Sequence, residues 1–171
     1  MEPRLPNPST LLPDVYPAIQ QLIKAVHTGG APDTVLELAH LRASQINGCS
    51  YCVDLGWRQG RRSGIPDEKL FTVAAWREMP YFDDAERAAL DLAEHATRLA
   101  DSSDPVPDHV WNAAAQHFTD EQLMEITALL TVVNLDRLNA AFGIGSAGFS
   151  EGMVCVPPDR PAGKPPLARI A

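Results

Sequence analysis

From Val15 to Phe142 apolar residues recur at spacings of three and four, and no convincing strand pattern interrupts them. That spacing lines one face of an α-helix, so the chain is expected to be all-α. Tyr16, Ile19, Leu22, Ile23 and Val26 mark a first helix that ends at Gly29-Gly30. Asp33 is placed to cap a second helix carrying Leu36, Leu38, Leu41 and Ile46, closed by Asn47-Gly48. A third helix is expected from about 49 to 62, stopped by Gly64. Pro66 suits the first turn of a fourth, with Leu70, Phe71, Ala74 and Ala75 along it. Asp83 with Glu86, and Thr119 with Gln122, have the spacing of capping boxes. The first opens a fifth helix through Ala89, Leu90, Leu92, Ala93 and Ala96. The second opens the longest helix, through Leu123, Ile126, Leu129, Leu130, Val133, Leu135, Leu138 and Phe142. Between them a short sixth helix spans about 107–117.

The ends differ from the middle. Pro3, Pro6, Pro8 and Pro13 make residues 1–13 an extended arm. Residues 146–171 form a Gly- and Pro-rich tail in which no regular structure is expected. The helical domain occupies 14–145, and a chain of 171 residues suits one such domain. The net charge is −8 with no dominant basic cluster, which argues against nucleic acid and against an anionic membrane surface as partners. The N-terminal stretch lacks a secretory pattern and no run is long enough to span a bilayer, so a cytoplasmic location is expected.

In such a compartment three cysteines do not make a disulfide scaffold, and a close pair points to redox or metal chemistry. The pair is Cys49 and Cys52, in Asn-Gly-Cys-Ser-Tyr-Cys. Two cysteines three apart at a helix start lie close enough for a disulfide, and unpaired N–H groups and the helix dipole favour a thiolate there. Arg58, Arg61 and Arg62 follow and add positive potential. Such a thiolate can attack a peroxide, and the sulfenic acid formed can condense with the second thiol. Inert packing is the plain alternative. Structural zinc needs about four ligands and finds only two clustered here, with His27 and His40 outside any zinc spacing, so no metal is expected. A thioredoxin-type site follows a strand, whereas here a helix precedes the pair.

The block from Glu37 to Cys52, with Ser44-Gln-Ile-Asn-Gly-Cys49 at its centre, resembles the AhpD-like branch of the carboxymuconolactone decarboxylase family. Ala75-Trp-Arg-Glu78 and the stretch from Phe82 to Glu94 share the likeness, which covers about residues 10–145. The resemblance implies an all-α bundle of about six to seven helices that assembles as a homo-oligomer, a trimer or a hexamer. It implies a thiol-dependent peroxidase acting on small organic hydroperoxides without metal or organic cofactor. Cys52 is then the peroxidatic thiol and Cys49 the resolving thiol, reduced afterwards by an external dithiol. Glu37 corresponds to the acid of a proton relay.

The relay histidine of that family falls at position 56, one turn beyond Cys52, where this chain has Gly56. A second position that carries histidine in some relatives is Tyr51, a poor base near neutral pH. Three readings of Gly56 follow. In the first the peroxidase is weakened or specialised, with Glu37 reaching Cys52 through water in the gap or His40 as substitute base, although spacing alone makes His40 an ordinary surface or packing histidine. Alternatively the pair performs only dithiol exchange, with Cys49 the more acidic thiol, or the protein binds a ligand or serves as a structural oligomer. The lactone decarboxylation for which the family is named needs no cysteine pair, so Cys49 and Cys52 argue against it. Asp54 and Arg58 are spaced for an exposed ion pair, Trp57 and Trp76 suit core or interface, and Cys155 lies in the tail.

Overall fold

The computed structural model describes residues 13–100 and 102–141, with side chains at 15, 16 and 136–141 left aside. Leu138, Phe142, Cys155, most of the arm and the entire tail therefore lie outside the described side chains. Seven α-helices and no strand occur among the described residues. They are α1 Val15–Val26, α2 Asp33–Asn47, α3 Ser50–Arg62, α4 Asp67–Thr72, α5 Asp84–Thr97, α6 Asp108–Ala115 and α7 Asp120–Ala141. None of them is long and apolar enough to cross a membrane.

Helix α2 is the axis of the bundle and packs against α3, α5 and α7. It is enclosed on several sides, so most of its residues are buried, polar ones included. Leu36, Ala39 and Ala43 join a core with Ala89, Leu92 and Ala93 of α5 and Leu123, Ile126 and Leu130 of α7. Leu38 and Leu41 face a second core made by Ile65, Leu70, Val73, Trp76, Phe82 and Leu90. Four polar or charged residues of α2 are buried too: Glu37, Arg42, Ser44 and Asn47. Arg42 donates from Nε to Glu94 at 2.7 Å. Glu94 also accepts from Trp76 Nε1 at 3.1 Å, Arg77 Nη1 at 2.5 Å and Arg98 Nη1 at 2.8 Å. Burial works to raise the pKa of Glu94, but these charged donors outweigh it and hold it at about 2. The carboxylate thereby ties α2, α5 and the Trp76 turn together.

The junction that carries the cysteines is built by a Schellman motif. Gly48 adopts φ 66°, its N–H reaches Gln45 O at 3.1 Å, and Cys49 N–H reaches Ser44 O at 3.2 Å. The left-handed residue turns the chain so that Cys49 becomes the N-cap of α3. Both capping boxes form: Asp83 and Glu86 bond reciprocally at 2.8 and 3.0 Å, and Thr119 and Gln122 at 3.4 and 2.9 Å. Several expectations need correction. Pro32, not Asp33, stands at the N-cap of α2, and Asp33 is its first residue. The fourth helix stops at Thr72 and tightens into a 3₁₀ turn over Val73–Ala75. Three residues per turn set Val73 and Trp76 on one face, where both are buried. Phe71, Ala74 and Ala75 are left exposed, as are Leu22 and Leu135.

Candidate functional site

The Sγ of Cys49 accepts the N–H of Cys52 at 3.3 Å, and the two cysteines are joined in a disulfide with Cα atoms 5.3 Å apart. Cys49 is half-buried and Cys52 is buried. The difference follows from position: the capping residue sits at the helix tip, whereas Cys52 turns inward beneath α1 and α7. There it lines a cavity of about 60 Å³ together with Glu37, His40, Tyr51 and Gln59. His27, which ends α1, closes one side. Ile23, Leu36, Leu55, Val132 and Val133 supply an apolar wall. Cys49 does not line this cavity.

Glu37 is buried, and its Oε2 lies 3.8 Å from Nδ1 of His40, three residues on along α2. The side chains are 10% and 14% exposed. Both line the cavity, and His40 reaches toward α3. A Cβ built on Gly56 would stand 3.4 Å from His40 Nδ1 and 3.4 Å from Leu41 Cα. The space beside Gly56 is therefore not an open gap, because the imidazole of His40 reaches it from the neighbouring helix.

Cys52, Glu37, His40 and Tyr51 thus meet at one cavity, while Gly56 does not line it and faces His40 and Leu41 instead. The arginines behave differently. Arg58 donates to Asp54 at 2.9 Å in an exposed i, i+4 pair, and Asp54 raises its pKa through that hydrogen bond. Arg61 pairs with Asp67 at 3.0 Å and stacks over Trp57. Neither lines the cavity. Trp76 belongs to the core, while Trp57 is half-buried at its edge.

Two polar cavity residues were not anticipated for the thiol site. Gln59 stands seven residues beyond Cys52, and two helical turns return it to the same face, so helical spacing alone could have found it. His27 had no such signal, because its place depends on how α1 crosses the bundle. Among the described residues no three His, Cys, Asp or Glu side chains form a metal-binding group.

A sequence profile of the carboxymuconolactone decarboxylase family matches residues 13–95. The uncharacterised protein YdfG of Bacillus subtilis is 32% identical over 111 residues, 64% of this chain and 74% of its own length. Among solved structures, a protein of unknown function from Agrobacterium tumefaciens, provisionally assigned to AhpD antioxidant defence, superposes with a TM-score of 0.75. It is 29% identical, over 82% of this chain and 95% of its own. The debrominase Bmp8 has a TM-score of 0.66 at 23% identity, over 78% and 71% of the two chains, which is a likeness of fold.

Proposed function

This chain belongs to the carboxymuconolactone decarboxylase family, and on that premise we propose that it is a thiol-dependent peroxidase of the AhpD type, acting on small organic hydroperoxides. The observation that carries the reading is the position of Cys52, whose side chain lines a small, largely apolar cavity that also holds the buried carboxylate of Glu37. A cavity of about 60 Å³ has room for a few waters or a short alkyl peroxide, and not for a bulky ligand.

Cys52 is the peroxidatic thiol in this reading. Its thiolate attacks the hydroxyl oxygen of the hydroperoxide; the S–O bond forms, the O–O bond breaks, and the alkoxide leaves as the alcohol after gaining a proton. Cys49 then attacks the sulfenic sulfur, water departs, and the disulfide closes. The backbone N–H that reaches the Cys49 sulfur, at the positive end of α3, favours its thiolate for that step. An external dithiol completes the cycle, and the more accessible Cys49 sulfur is the point for its attack. Glu37 supports proton transfer. We place the protein in the cytoplasm, as a homo-oligomer.

The test is stopped-flow oxidation of the fully reduced protein by tert-butyl hydroperoxide, with thiol counting and disulfide mapping. Rapid loss of two thiols with formation of a Cys49–Cys52 bond is the expected result, and Cys52→Ser should abolish it. Oxidation no faster than that of a free thiol would sink the peroxidase reading. The same capping hydrogen bond would then favour dithiol exchange led by Cys49, measured with a disulfide substrate.

A further inference from the structure

Resting on the peroxidase reading, we propose that His40 is the proton-transfer group for Cys52, delivered from α2 into the space that Gly56 leaves open on α3. Gly56 follows Cys52 by four residues, so a side chain at 56 would start about 5–6 Å from the Cβ of Cys52, on the same face. The Nδ1 of His40 stands 3.4 Å from that starting point. The imidazole therefore reaches the volume in front of Gly56, on the Cys52 side of α3, although its backbone belongs to another helix. Any side chain longer than a methyl at 56 would compete for this volume, so the arrangement calls for a glycine or an alanine there.

Three further features suit the role. His40 and Cys52 line the same cavity. Glu37 Oε2 lies 3.8 Å from His40 Nδ1, near enough to favour a proton on that nitrogen and a lone pair on Nε2. The separation exceeds a direct hydrogen bond, as is common for catalytic groups before substrate binds. Finally, α2 is the enclosed axis of the bundle, which holds the pair in place better than a loop would.

His40 Nε2 takes the proton from the Cys52 thiol, giving a thiolate and an imidazolium paired with Glu37. The thiolate attacks the hydroxyl oxygen of the hydroperoxide, which is reduced by two electrons as the sulfur is oxidised. The imidazolium returns its proton to the departing alkoxide, so that His40 ends neutral and the products are alcohol and Cys52 sulfenic acid. Cys49 and an external dithiol restore the thiols as above.

The test compares single-turnover oxidation by tert-butyl hydroperoxide across roughly pH 5 to 9 in wild type, His40→Gln, Gly56→His, and the double variant His40→Ala/Gly56→His. Glutamine keeps the size and polarity of the histidine without titrating in this range. His40→Gln should slow oxidation by about 10²-fold and move the pH midpoint up toward the free-thiol value of about 8.5. Gly56→His alone should gain nothing, since the volume is already filled. The double variant, with its imidazole on α3, should regain at least about tenfold over His40→Gln. Fast oxidation of wild type with an unchanged rate and pH profile in His40→Gln overturns the proposal and leaves the peroxidase reading intact. A slow His40→Gln that keeps the wild-type pH midpoint also overturns it, because packing alone then explains the loss. Wild-type oxidation no faster than a free thiol removes both readings together.

Discussion

Replacing Gly56 by alanine should stabilise the protein, and the size of the effect follows from the contacts around it. A Cβ at 56 meets His40 Nδ1, Leu41 Cα and Leu41 Cβ, each at 3.4 Å. That is the near edge of ordinary van der Waals contact, so one methyl fits. Gly56 lies inside α3 and is not among the glycines with positive φ, so alanine inherits a helical backbone without strain. The exchange removes the cost of a helix-interior glycine, about 1 kcal/mol. A small displacement of α2 against α3 returns part of this. The net gain should be about 0.5–1 kcal/mol, or about 1–4 °C in Tm for a chain of this length. The assay is thermal denaturation followed by circular dichroism, with both proteins reduced and at equal concentration, because any self-association would shift Tm by mass action. The oxidation rate should stay close to wild type, since a methyl leaves the imidazole in place. A loss of more than about 1 kcal/mol would refute the reasoning. It would mean that glycine is needed there for helix-to-helix approach, and that the fit of His40 is incidental.

Other outcomes follow from the same geometry. Glu94→Gln leaves Arg42 buried without its carboxylate, and should cost about 3–5 kcal/mol in urea unfolding. Because the pKa of Glu94 is lowered from 4.5 to about 2, its contribution is fully present above about pH 4.5 and is lost as pH falls through about 2. Wild-type stability should therefore fall more steeply than that of Glu94→Gln across that window, read from urea midpoints at successive pH values. Gly48→Ala should cost about 1–2 kcal/mol, entirely from the left-handed backbone, since a Cβ there meets nothing within 4 Å. Gly48→Asn should cost less, as asparagine tolerates that conformation. Equal losses in the two variants would point to a different origin.

The helices and their limits could be read from the chain because the signals are local. A three-and-four spacing, a capping box or Asn47-Gly48 acts within one or two turns, and no distant contact overrode these signals at the major junctions. The fourth helix shows where this ends. Its sequence continues to look helical past Thr72, yet the need to bury both Val73 and Trp76 in one core tightens it into a 3₁₀ turn. Leu22 and Phe71 likewise fit an apolar pattern and lie exposed, since periodicity says that a helix has a face and not what covers it.

For the site, the sequence by itself determined the cysteine pair at a helix start, its likeness to the AhpD-like branch, and the oddity of glycine one turn beyond Cys52. It made Glu37 a candidate by distance along the chain. It could not say that Arg58 and Arg61 spend their charge on Asp54 and Asp67, nor which cysteine faces a cavity. Above all it could name His40 only as a possible substitute base, because spacing alone could not aim it at Cys52. Its meaning depends on the packing of α2 against α3, which brings two residues sixteen positions apart to within contact of one another. Local sequence sets the direction of a side chain relative to its own helix, but only the rotation and approach of the neighbouring helix decide what that side chain meets.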